Sequence, residues 1–311
     1  MGPTASGKTA VALELARALP CEIVSVDSAL VYKDMNIGTA KPDRGTLEAF
    51  PHHLVDLIEP HESYSAARFR DDALAAMREI TERGRIPLLV GGTMLYFKAL
   101  VEGLNELPEA DPAIRLVIDT MAQESGWPGV HAKLKALDPE TAARLEPTDA
   151  QRIQRALEVY YITGKTLGEL LQKPRYVYFP YTPIKIALVP GDRAMLHRRI
   201  EERFDRMIAN GLVREVEALR TNYGLEAGMP SMRCVGYRQA WQHLNGELDA
   251  EELRTHGIAA TRQLAKRQLT WLRSMADVVP FDCLQEDLAA RVLEYVQREL
   301  STVAIENRGK P

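Results

Sequence analysis

The stretch MGPTASGKTA, residues 1 to 10, contains the most informative pattern in the chain. Gly2 is followed by four residues and then by Gly7, Lys8 and Thr9, which is the spacing of a phosphate-binding loop. In such a loop, backbone N–H groups, the positive end of a helix dipole and the lysine ammonium bind a phosphate together. The threonine hydroxyl is a ligand for Mg²⁺. The pattern therefore predicts a phosphate site with Thr9 as its metal ligand.

The residues after the loop predict an α/β fold. Val11, Leu15 and Leu19 recur at a spacing of four, which forms one apolar face of a helix. Three apolar runs have the composition of buried parallel strands, and helical patterns lie between them. These runs are EIVSVD (22–27), IPLLVGGT (86–93) and IKIALV (184–189). Because a phosphate loop normally follows a strand, we expect a first strand to precede residue 1 in the natural chain.

Length and composition indicate a folded protein with one large domain and an insertion, or with two domains. The chain has 311 residues, of which 46% are hydrophobic, and this is enough to bury a sizeable core. The net charge of −4 argues against a uniformly basic surface, but it is compatible with a local basic groove. No apolar run approaches the roughly 18 residues of a membrane helix, and no secretion signal is evident. We expect a cytoplasmic monomer without a membrane partner.

Helical patterns broken by prolines distinguish a middle segment, residues 106 to 180. We expect an inserted helical subdomain here. Residues 1–105 and 181–311 would then form the core, which ends in helices. Residues 192–220 predict one long amphipathic helix or a pair of helices, and residues 251–276 predict another.

The loop pattern alone does not identify which phosphate compound is bound. ATP or GTP is the usual ligand, but the run at 86–93 ends in Gly91, Gly92 and Thr93, where a Mg²⁺-organising aspartate would be expected. The sequence also contains no guanine-reading motif. A different diphosphate fits the same loop.

Five separated motifs occur in a fixed order, and together they resemble the tRNA dimethylallyltransferases of the bacterial type over nearly the whole chain. The motifs are GPTASGKT (2–9), VDSALVYKDMNIGTAKP (26–42), LVGGTMLY (89–96), QRIQRALEVY (151–160) and RCVGYRQ (233–239). Five motifs in order are far more specific than a phosphate loop alone. Leu30 departs from the pattern, because many relatives have glutamine there. One polar contact to the RNA is therefore expected to be missing or supplied by another residue.

The resemblance implies a prenyl transfer reaction. A dimethylallyl group would pass from dimethylallyl diphosphate to N6 of the adenosine 3′ of the anticodon, in tRNAs that read codons beginning with U. It further implies a P-loop parallel-sheet core with a helical insertion that contacts the tRNA anticodon stem-loop, and Mg²⁺ as the cofactor. The leaving diphosphate would be bound by the loop residues Gly2, Pro3, Thr4, Ala5, Ser6, Gly7, Lys8 and Thr9, and by Arg199.

Three residues are candidates for the chemistry. An adenine amino group is a poor nucleophile, so a base must take its proton as the new bond forms. Asp27, at the end of a strand, is the candidate base, although a helix cap or a ligand to Mg²⁺-bound water would also explain it. Thr93 could hold the amino group. Arg203 could stabilise the charge on the leaving diphosphate, but a solvated surface arginine is the alternative.

The RNA requires stacking surfaces and cations, because the target base must leave the anticodon loop and enter the site. A helix within residues 251–276 carries the basic residues Arg262, Lys266 and Arg273 beside its apolar face, as a phosphate track would. Tyr237 is a candidate stacking residue. The full set of predicted tRNA-binding residues is Asp27, Ser28, Ala29, Leu30, Gln151, Arg152, Arg155, Arg233, Cys234, Val235, Gly236, Tyr237 and Arg238.

Three alternative functions remain open at this point. A nucleoside or metabolite kinase would also place an aspartate after the second strand, but it would need an arginine-rich lid that the sequence does not clearly show. An adenylate isopentenyltransferase would use the same donor on a free nucleotide. A non-catalytic RNA-binding protein would keep the basic helices without needing Asp27 and Thr93 beside the loop.

Overall fold

The computed structural model describes residues 1–172 and 178–308, and it divides into two compact units. The first unit comprises residues 1–100 and 180–311, and the second comprises residues 101–179. The boundaries expected from the sequence are 106 and 180. Residues 173–177 of the predicted insertion and residues 309–311 of the predicted core lie outside the described residues.

The first unit begins with alternating helices and strands. Strand β1 (Cys21–Val26) is buried along its whole length, as expected for a parallel strand with neighbours on both sides. Helix α3 (Ala66–Glu82) is capped at its N-terminus by Ser65, whose side chain accepts a hydrogen bond from the Arg68 N–H, and it buries an apolar face against the sheet. The elements are α1 (Lys8–Ala18), β1 (Cys21–Val26), α2 (Arg44–Ala49), β2 (His52–His53), α3 (Ala66–Glu82), β3 (Ile86–Gly91) and α4 (Met94–Glu102).

The second unit is helical in its described part. Its longest helix is bent at Gly126, where φ is 68°, and Pro128 lies two residues further on. The core of this unit includes Ile118, Leu134 and Ile153, which are fully buried. Its helices are α5 (Pro112–Leu137), α6 (Pro139–Ala142), α7 (Ala150–Thr163) and α8 (Leu167–Leu171).

The chain then returns to the first unit and ends in helices. The predicted amphipathic stretch at 192–220 forms two helices, because Gly211 with φ of 101° ends the first and starts the second. The predicted helix at 251–276 is confirmed, with a capping box formed by Asp249 and Glu252. These elements are β4 (Ile186–Val189), α9 (Arg193–Ala209), α10 (Leu212–Tyr223), α11 (Tyr237–Leu244), α12 (Ala250–Ser274), β5 (Val279–Asp282) and α13 (Leu288–Arg308).

All strand pairs of the described residues are parallel. One sheet has the order β2-β1-β3, and the other consists of β4 and β5. The position beside β4 is occupied by residue 1, because the Met1 nitrogen donates to Ile186 O and Leu188 N donates to Met1 O, both at 2.8 Å. The phosphate loop therefore begins directly at the edge of this second sheet. The prediction of an α/β fold with a parallel sheet is confirmed.

The three strands expected from apolar runs are present, but two strands were not expected. Strand β2 has only two residues, and β5 is a half-exposed strand of four residues. Neither contains an apolar run long enough to be recognised in the sequence. No helix in the described ranges is both long and apolar enough to cross a membrane.

Candidate active site

The phosphate loop ends in a helix N-terminus that is open to an anion. Gly7 precedes α1 with φ of 79°, and no side chain caps this end of the helix. Ala5 also has a positive φ, of 62°. The N–H groups of the first helical turn therefore have no side-chain acceptor, which is the arrangement that binds phosphate.

Close packing holds the loop in this shape. A β-carbon at Gly2 would lie 2.6 Å from Ser6 Oγ and 2.9 Å from Leu188 O, so no side chain fits at this position. The Ser6 hydroxyl is fully buried and has no hydrogen-bond partner among the described residues. On its other side, Ala5 packs against a cluster from α9 and α12 that includes Ile200 and Leu269.

Lys8 provides a positive charge inside the loop. Its Nζ donates to the carbonyl oxygen of Pro3 at 2.6 Å. Burial lowers the pKa of Lys8 to about 8, the carboxylate of Asp27 opposes this change, and the guanidinium of Arg203 adds to it. Lys8 is therefore within electrostatic range of both a carboxylate and a second cation. A bound diphosphate would offset the repulsion between the two cations.

Helix α9 brings two arginines to the same region, one helical turn apart. Arg203 is half-buried and donates to the carbonyl oxygen of Thr39 at 3.3 Å. Burial lowers the pKa of its guanidinium, Asp27 raises it, and the neighbouring Arg206 lowers it further. Arg199 donates to the carbonyl oxygen of Cys283 at 2.9 Å. Burial raises the pKa of the Cys283 thiol, and the positive charges of Arg199 and Lys8 both oppose this change. Both arginines are thus close to the loop.

Asp27 and Thr93 meet at the carboxyl ends of two neighbouring strands. Asp27 follows β1, and its Oδ1 accepts a hydrogen bond from Ala29 N at 2.9 Å. Thr93 follows β3, and its Oγ1 accepts from Ser28 N at 3.0 Å. The Thr93 N–H donates to Val26 O at 3.2 Å. The candidate base and the candidate amino-group contact therefore lie side by side.

The two glycines before Thr93 have a specific packing role. A β-carbon at Gly91 would overlap the carbonyl oxygen of Val26, and one at Gly92 would overlap the side-chain amide of Gln268. Neither glycine has a positive φ. Both positions therefore need glycine because other protein atoms approach them closely.

Glu215 holds the segment that follows Asp27. Its carboxylate accepts hydrogen bonds from the backbone N–H groups of Asn36, Ile37 and Gly38, at 3.1, 2.7 and 3.2 Å. It also accepts a hydrogen bond from the hydroxyl of Tyr237. Four donors on one carboxylate fix the loop between β1 and α2 against α10 and α11.

The prediction that Tyr237 stacks on an RNA base is wrong. The side chain is fully buried, and its ring lies so close to Gly38 that a β-carbon there would overlap it. Burial, together with the Glu215 carboxylate, raises the pKa of Tyr237 well above its usual value. Tyr237 is a core residue that supports the site through its contacts with Gly38 and Glu215.

The other residues of RCVGYR are partly accessible. Arg233 and Arg238 are exposed, Cys234 and Val235 are half-buried, and Gly236 is buried at the start of α11 with φ of 91°. Burial and the carboxylate of Asp27 raise the pKa of the Cys234 thiol to about 12. This segment therefore reaches the neighbourhood of Asp27, and its two arginines are available to a ligand.

The predicted RNA contacts of the second unit lie on α7. Gln151 is exposed, and so is Arg152, which pairs with Asp149 at 3.0 Å. Arg155 binds the fully buried Glu158 at 2.6 Å and the carbonyl oxygen of Pro108 at 2.7 Å. These bonds give Arg155 a structural role within the unit, so its contact with RNA stays a prediction.

The remaining predicted RNA contacts, after β1 and on α12, differ in how exposed their side chains are. Among the predicted RNA contacts, Ser28 is exposed, and Ala29 and Leu30 are half-buried. Of the three basic residues predicted on α12, which we call the basic stripe, Lys266 and Arg273 are exposed, whereas Arg262 pairs with Glu201 at 3.2 Å.

Besides Glu215, a second residue of the site was missed by the sequence analysis. Gln268 of α12 accepts a hydrogen bond from Thr4 N at 2.8 Å and donates to Gly92 O at 2.9 Å. A lone glutamine on an amphipathic helix carries no motif, so only the position of the basic stripe on the same helix could have directed attention to it.

Comparison with known proteins identifies the family. The family model described as IPP transferase matches residues 30–275. A tRNA dimethylallyltransferase of Nitrosospira multiformis is 61% identical over 95% of this chain and 92% of its own length. One of Thiobacillus denitrificans is 60% identical over 96% of each chain.

Solved structures agree with this assignment. A tRNA isopentenylpyrophosphate transferase of Bacillus halodurans has a TM-score of 0.72 and 34% identity, covering 99% of this chain and 97% of that one. A eukaryotic dimethylallyltransferase acting on tRNA has a TM-score of 0.76 at 26% identity, covering 100% of this chain and 79% of that one. The resemblance inferred from the five motifs is confirmed. This chain belongs to the IPP transferase family, together with the tRNA dimethylallyltransferases.

Proposed function

We propose that this protein transfers a dimethylallyl group from dimethylallyl diphosphate to N6 of the adenosine 3′ of the anticodon, in tRNAs that read U-initial codons. The observation that carries the proposal is the position of Asp27. Its carboxylate lies beside Thr93 and within electrostatic range of Lys8 and Arg203, next to an uncapped phosphate loop. A base therefore adjoins an anion site, which this reaction requires.

The donor side of the reaction needs positive charge on the leaving group. As the bond between the allylic carbon and the bridging oxygen breaks, negative charge grows on the diphosphate. The loop N–H groups, Lys8, Arg199 and Arg203 supply fixed donors and cations for this charge. No phosphoryl group is transferred, and diphosphate leaves intact.

Thr9 fits a Mg²⁺ ion that accompanies the diphosphate. Its side chain is exposed in the first turn of α1, directly after Lys8. The described residues contain no cluster of three or more His, Cys, Asp or Glu side chains that would hold a metal by themselves. This suits Mg²⁺, which typically binds one or two protein oxygens together with phosphates and waters. The bound ion would neutralise charge on the leaving group.

The acceptor side needs a base and a fixed amino group. One oxygen of Asp27 is held by Ala29 N, and the other has no hydrogen-bond partner within the described ranges. Thr93 Oγ1 accepts from Ser28 N and contacts Ser28 Oγ at 3.4 Å, which leaves one lone pair for an N6 hydrogen. The bond from N6 to the allylic carbon forms as the proton passes to Asp27.

The partner in this proposal is the anticodon stem-loop of tRNA, and the protein acts as a monomer in the cytoplasm. Arg233 and Arg238 are exposed and lie on the segment that reaches Asp27, which supports a role for both in binding phosphates next to the target nucleotide. Leu30, half-buried after Asp27, offers an apolar surface rather than a polar contact.

The experiment compares acceptors and donors in the presence of Mg²⁺. The protein is incubated with dimethylallyl diphosphate and either an unmodified anticodon stem-loop or free AMP, and both products are examined by mass spectrometry. We expect a dimethylallyl group on the RNA and none on AMP. Transfer to AMP alone would instead indicate a nucleotide prenyltransferase, and phosphoryl transfer from ATP without prenylation would indicate a kinase.

A further inference from the structure

Gln268 connects the phosphate loop to the end of β3. The oxygen of its carboxamide accepts from Thr4 N at 2.8 Å, and its nitrogen donates to Gly92 O at 2.9 Å. A planar amide that uses both ends on two backbone segments fixes the distance between them. The two segments have no other side chain that bonds to both among the described residues.

The space for this amide is provided by Gly92. A β-carbon at position 92 would overlap Gln268 Nε2, and it would lie 3.2 Å from Gly2 O. The φ angle of Gly92 is not in the left-handed region, so its backbone conformation does not demand glycine. The absence of a side chain at position 92 is therefore explained by the close approach of Gln268 and Gly2.

The two hydrogen bonds of the Gln268 carboxamide form a bridge between the donor site and the acceptor site of the proposed reaction. Thr4 belongs to the loop that would bind the donor diphosphate. Gly92 precedes Thr93, whose hydroxyl accepts from Ser28 N next to Asp27. The carboxamide of Gln268 therefore connects the phosphate loop, through its bond to Gly92 and the next residue Thr93, to the segment that contains Asp27.

The helix that carries Gln268 is itself held against the loop. The neighbouring Leu269 and Ala265 of α12 pack in one cluster with Ala5 of the loop and with Leu196 and Ile200 of α9. A side chain on a packed helix keeps its position better than one on a free loop. Gln268 is thus anchored on the α12 side as well as at both ends of its amide.

We propose that Gln268 is a positioning residue for the transfer reaction, setting the separation between the diphosphate in the loop and the Asp27–Thr93 pair. The inference rests on the proposed function. Reacting atoms must be held about 3 to 3.5 Å apart, and a displacement of about 1 Å costs on the order of a hundredfold in rate. Gln268 touches neither the diphosphate nor the adenine in this account, and it acts through Thr4 and Gly92.

The first test replaces Gln268 by methionine, which keeps the length of the side chain and removes both hydrogen bonds. The single-turnover rate constant is measured with stem-loop RNA, because this constant does not depend on the fraction of folded enzyme. We expect it to fall by about tenfold to a hundredfold. The dissociation constants for pyrophosphate and for RNA should change little. Gln297→Met, an exposed position on α13, is the matched control and should keep the wild-type rate.

A second variant tests the same bridge without changing Gln268. Gly92→Ala would displace the amide of Gln268 by direct overlap, so it should slow transfer to a similar extent. The double variant should be no slower than the slower single variant, because both changes remove one interaction. A merely structural role would lower the melting temperature while the single-turnover rate constant stayed at the wild-type value.

The proposal is overturned if Gln268→Met transfers at the wild-type rate, or if the effects of the two variants multiply. A wild-type protein that prenylates no RNA would instead refute the proposed function, and the positioning role with it. The activity of the wild-type protein therefore tests the proposed function first, and the variants then test the positioning role of Gln268 separately.

Discussion

The hydroxyl oxygen of Thr93 accepts a hydrogen bond from the backbone N–H of Ser28 at 3.0 Å. This bond joins the ends of two parallel strands, β1 and β3, and it places the hydroxyl beside Asp27. It forms because the backbone of Gly91 lies against Val26, where a side chain would not fit. In the proposed reaction, this contact between strand ends sets the position of the Thr93 hydroxyl relative to Asp27.

Gly91→Ala should therefore lower both stability and activity. Its β-carbon would overlap the Val26 carbonyl oxygen, so the two strand ends must separate. Overpacking of this kind costs about 1 to 3 kcal/mol, which urea unfolding would measure. The control is Gly228→Ala, where the added β-carbon meets no atom within 4 Å. Equal stability of Gly91→Ala and wild type would contradict the packing described here.

Asp27→Asn should abolish most of the turnover while RNA binding remains. The amide keeps the size of the side chain but cannot take the N6 proton, and loss of a general base costs about 10²- to 10⁴-fold. Asp34→Asn is a matched control on the same segment, because Asp34 bonds to Tyr223 instead. Single-turnover transfer and RNA titration give the two quantities. An Asp27→Asn protein with wild-type turnover would remove Asp27 from the mechanism.

Pyrophosphate affinity should depend on pH through Lys8. The pKa of Lys8 is lowered to about 8 in the free protein, so its ammonium is present below this pH and lost above it. An anion prefers the charged form, so affinity should fall as the pH rises from about 7 to about 9, by up to about tenfold for each unit above the pKa. Isothermal titration calorimetry measures this.

The Lys8→Arg variant separates this effect from the titration of pyrophosphate itself. Arginine stays charged over the whole range, so only the ligand's own protonation remains in its profile. The difference between the two profiles should follow the Lys8 pKa. Parallel profiles would mean that the Lys8 charge does not contribute to binding.

Tyr237→Phe should reduce stability without weakening RNA binding. The variant removes the hydroxyl that donates to Glu215, and hydrogen bonds to charged groups contribute about 1.5 to 3 kcal/mol. Because the ring is fully buried, RNA has no access to it. Tyr295→Phe on α13 serves as the control in urea unfolding. Unchanged stability of the Tyr237 variant would show that its bond to Glu215 is unimportant.

Arg238→Ala should weaken binding of the stem-loop and leave pyrophosphate binding unchanged. Arg238 is exposed, and one lost phosphate contact should reduce the salt dependence of RNA affinity by about one unit of slope. Arg78→Ala is the control, since Arg78 is exposed on α3 and is not among the predicted RNA contacts. Equal loss of affinity for RNA and pyrophosphate would contradict this separation of roles.

The parts of the site that follow parallel strands could be predicted from the sequence. Asp27 and Thr93 each end an apolar run, and the carboxyl ends of parallel strands meet at one edge of a sheet. The phosphate loop was predictable for a similar reason, because its spacing and the following helix are both local. These features need only neighbouring residues to be recognised.

The supports of the site could not be predicted in this way. Glu215 bonds to Gly38, which is 177 residues away in the chain, and Gln268 bonds to Thr4, which is 264 residues away. Neither residue belongs to a local pattern, because the partner is chosen by tertiary packing. The same reason explains the error at Tyr237. An aromatic residue between glycine and arginine suggests exposure, but Gly38 and Glu215 enclose it.

The most direct test of the account is the position of the modification in RNA. The protein is incubated with Mg²⁺, dimethylallyl diphosphate and an unmodified anticodon stem-loop, and the RNA is digested and sequenced by mass spectrometry. We expect one dimethylallyl group, on the adenosine 3′ of the anticodon, and none when guanosine replaces that adenosine. RNA that stays unmodified, or that is modified at another position, would contradict it.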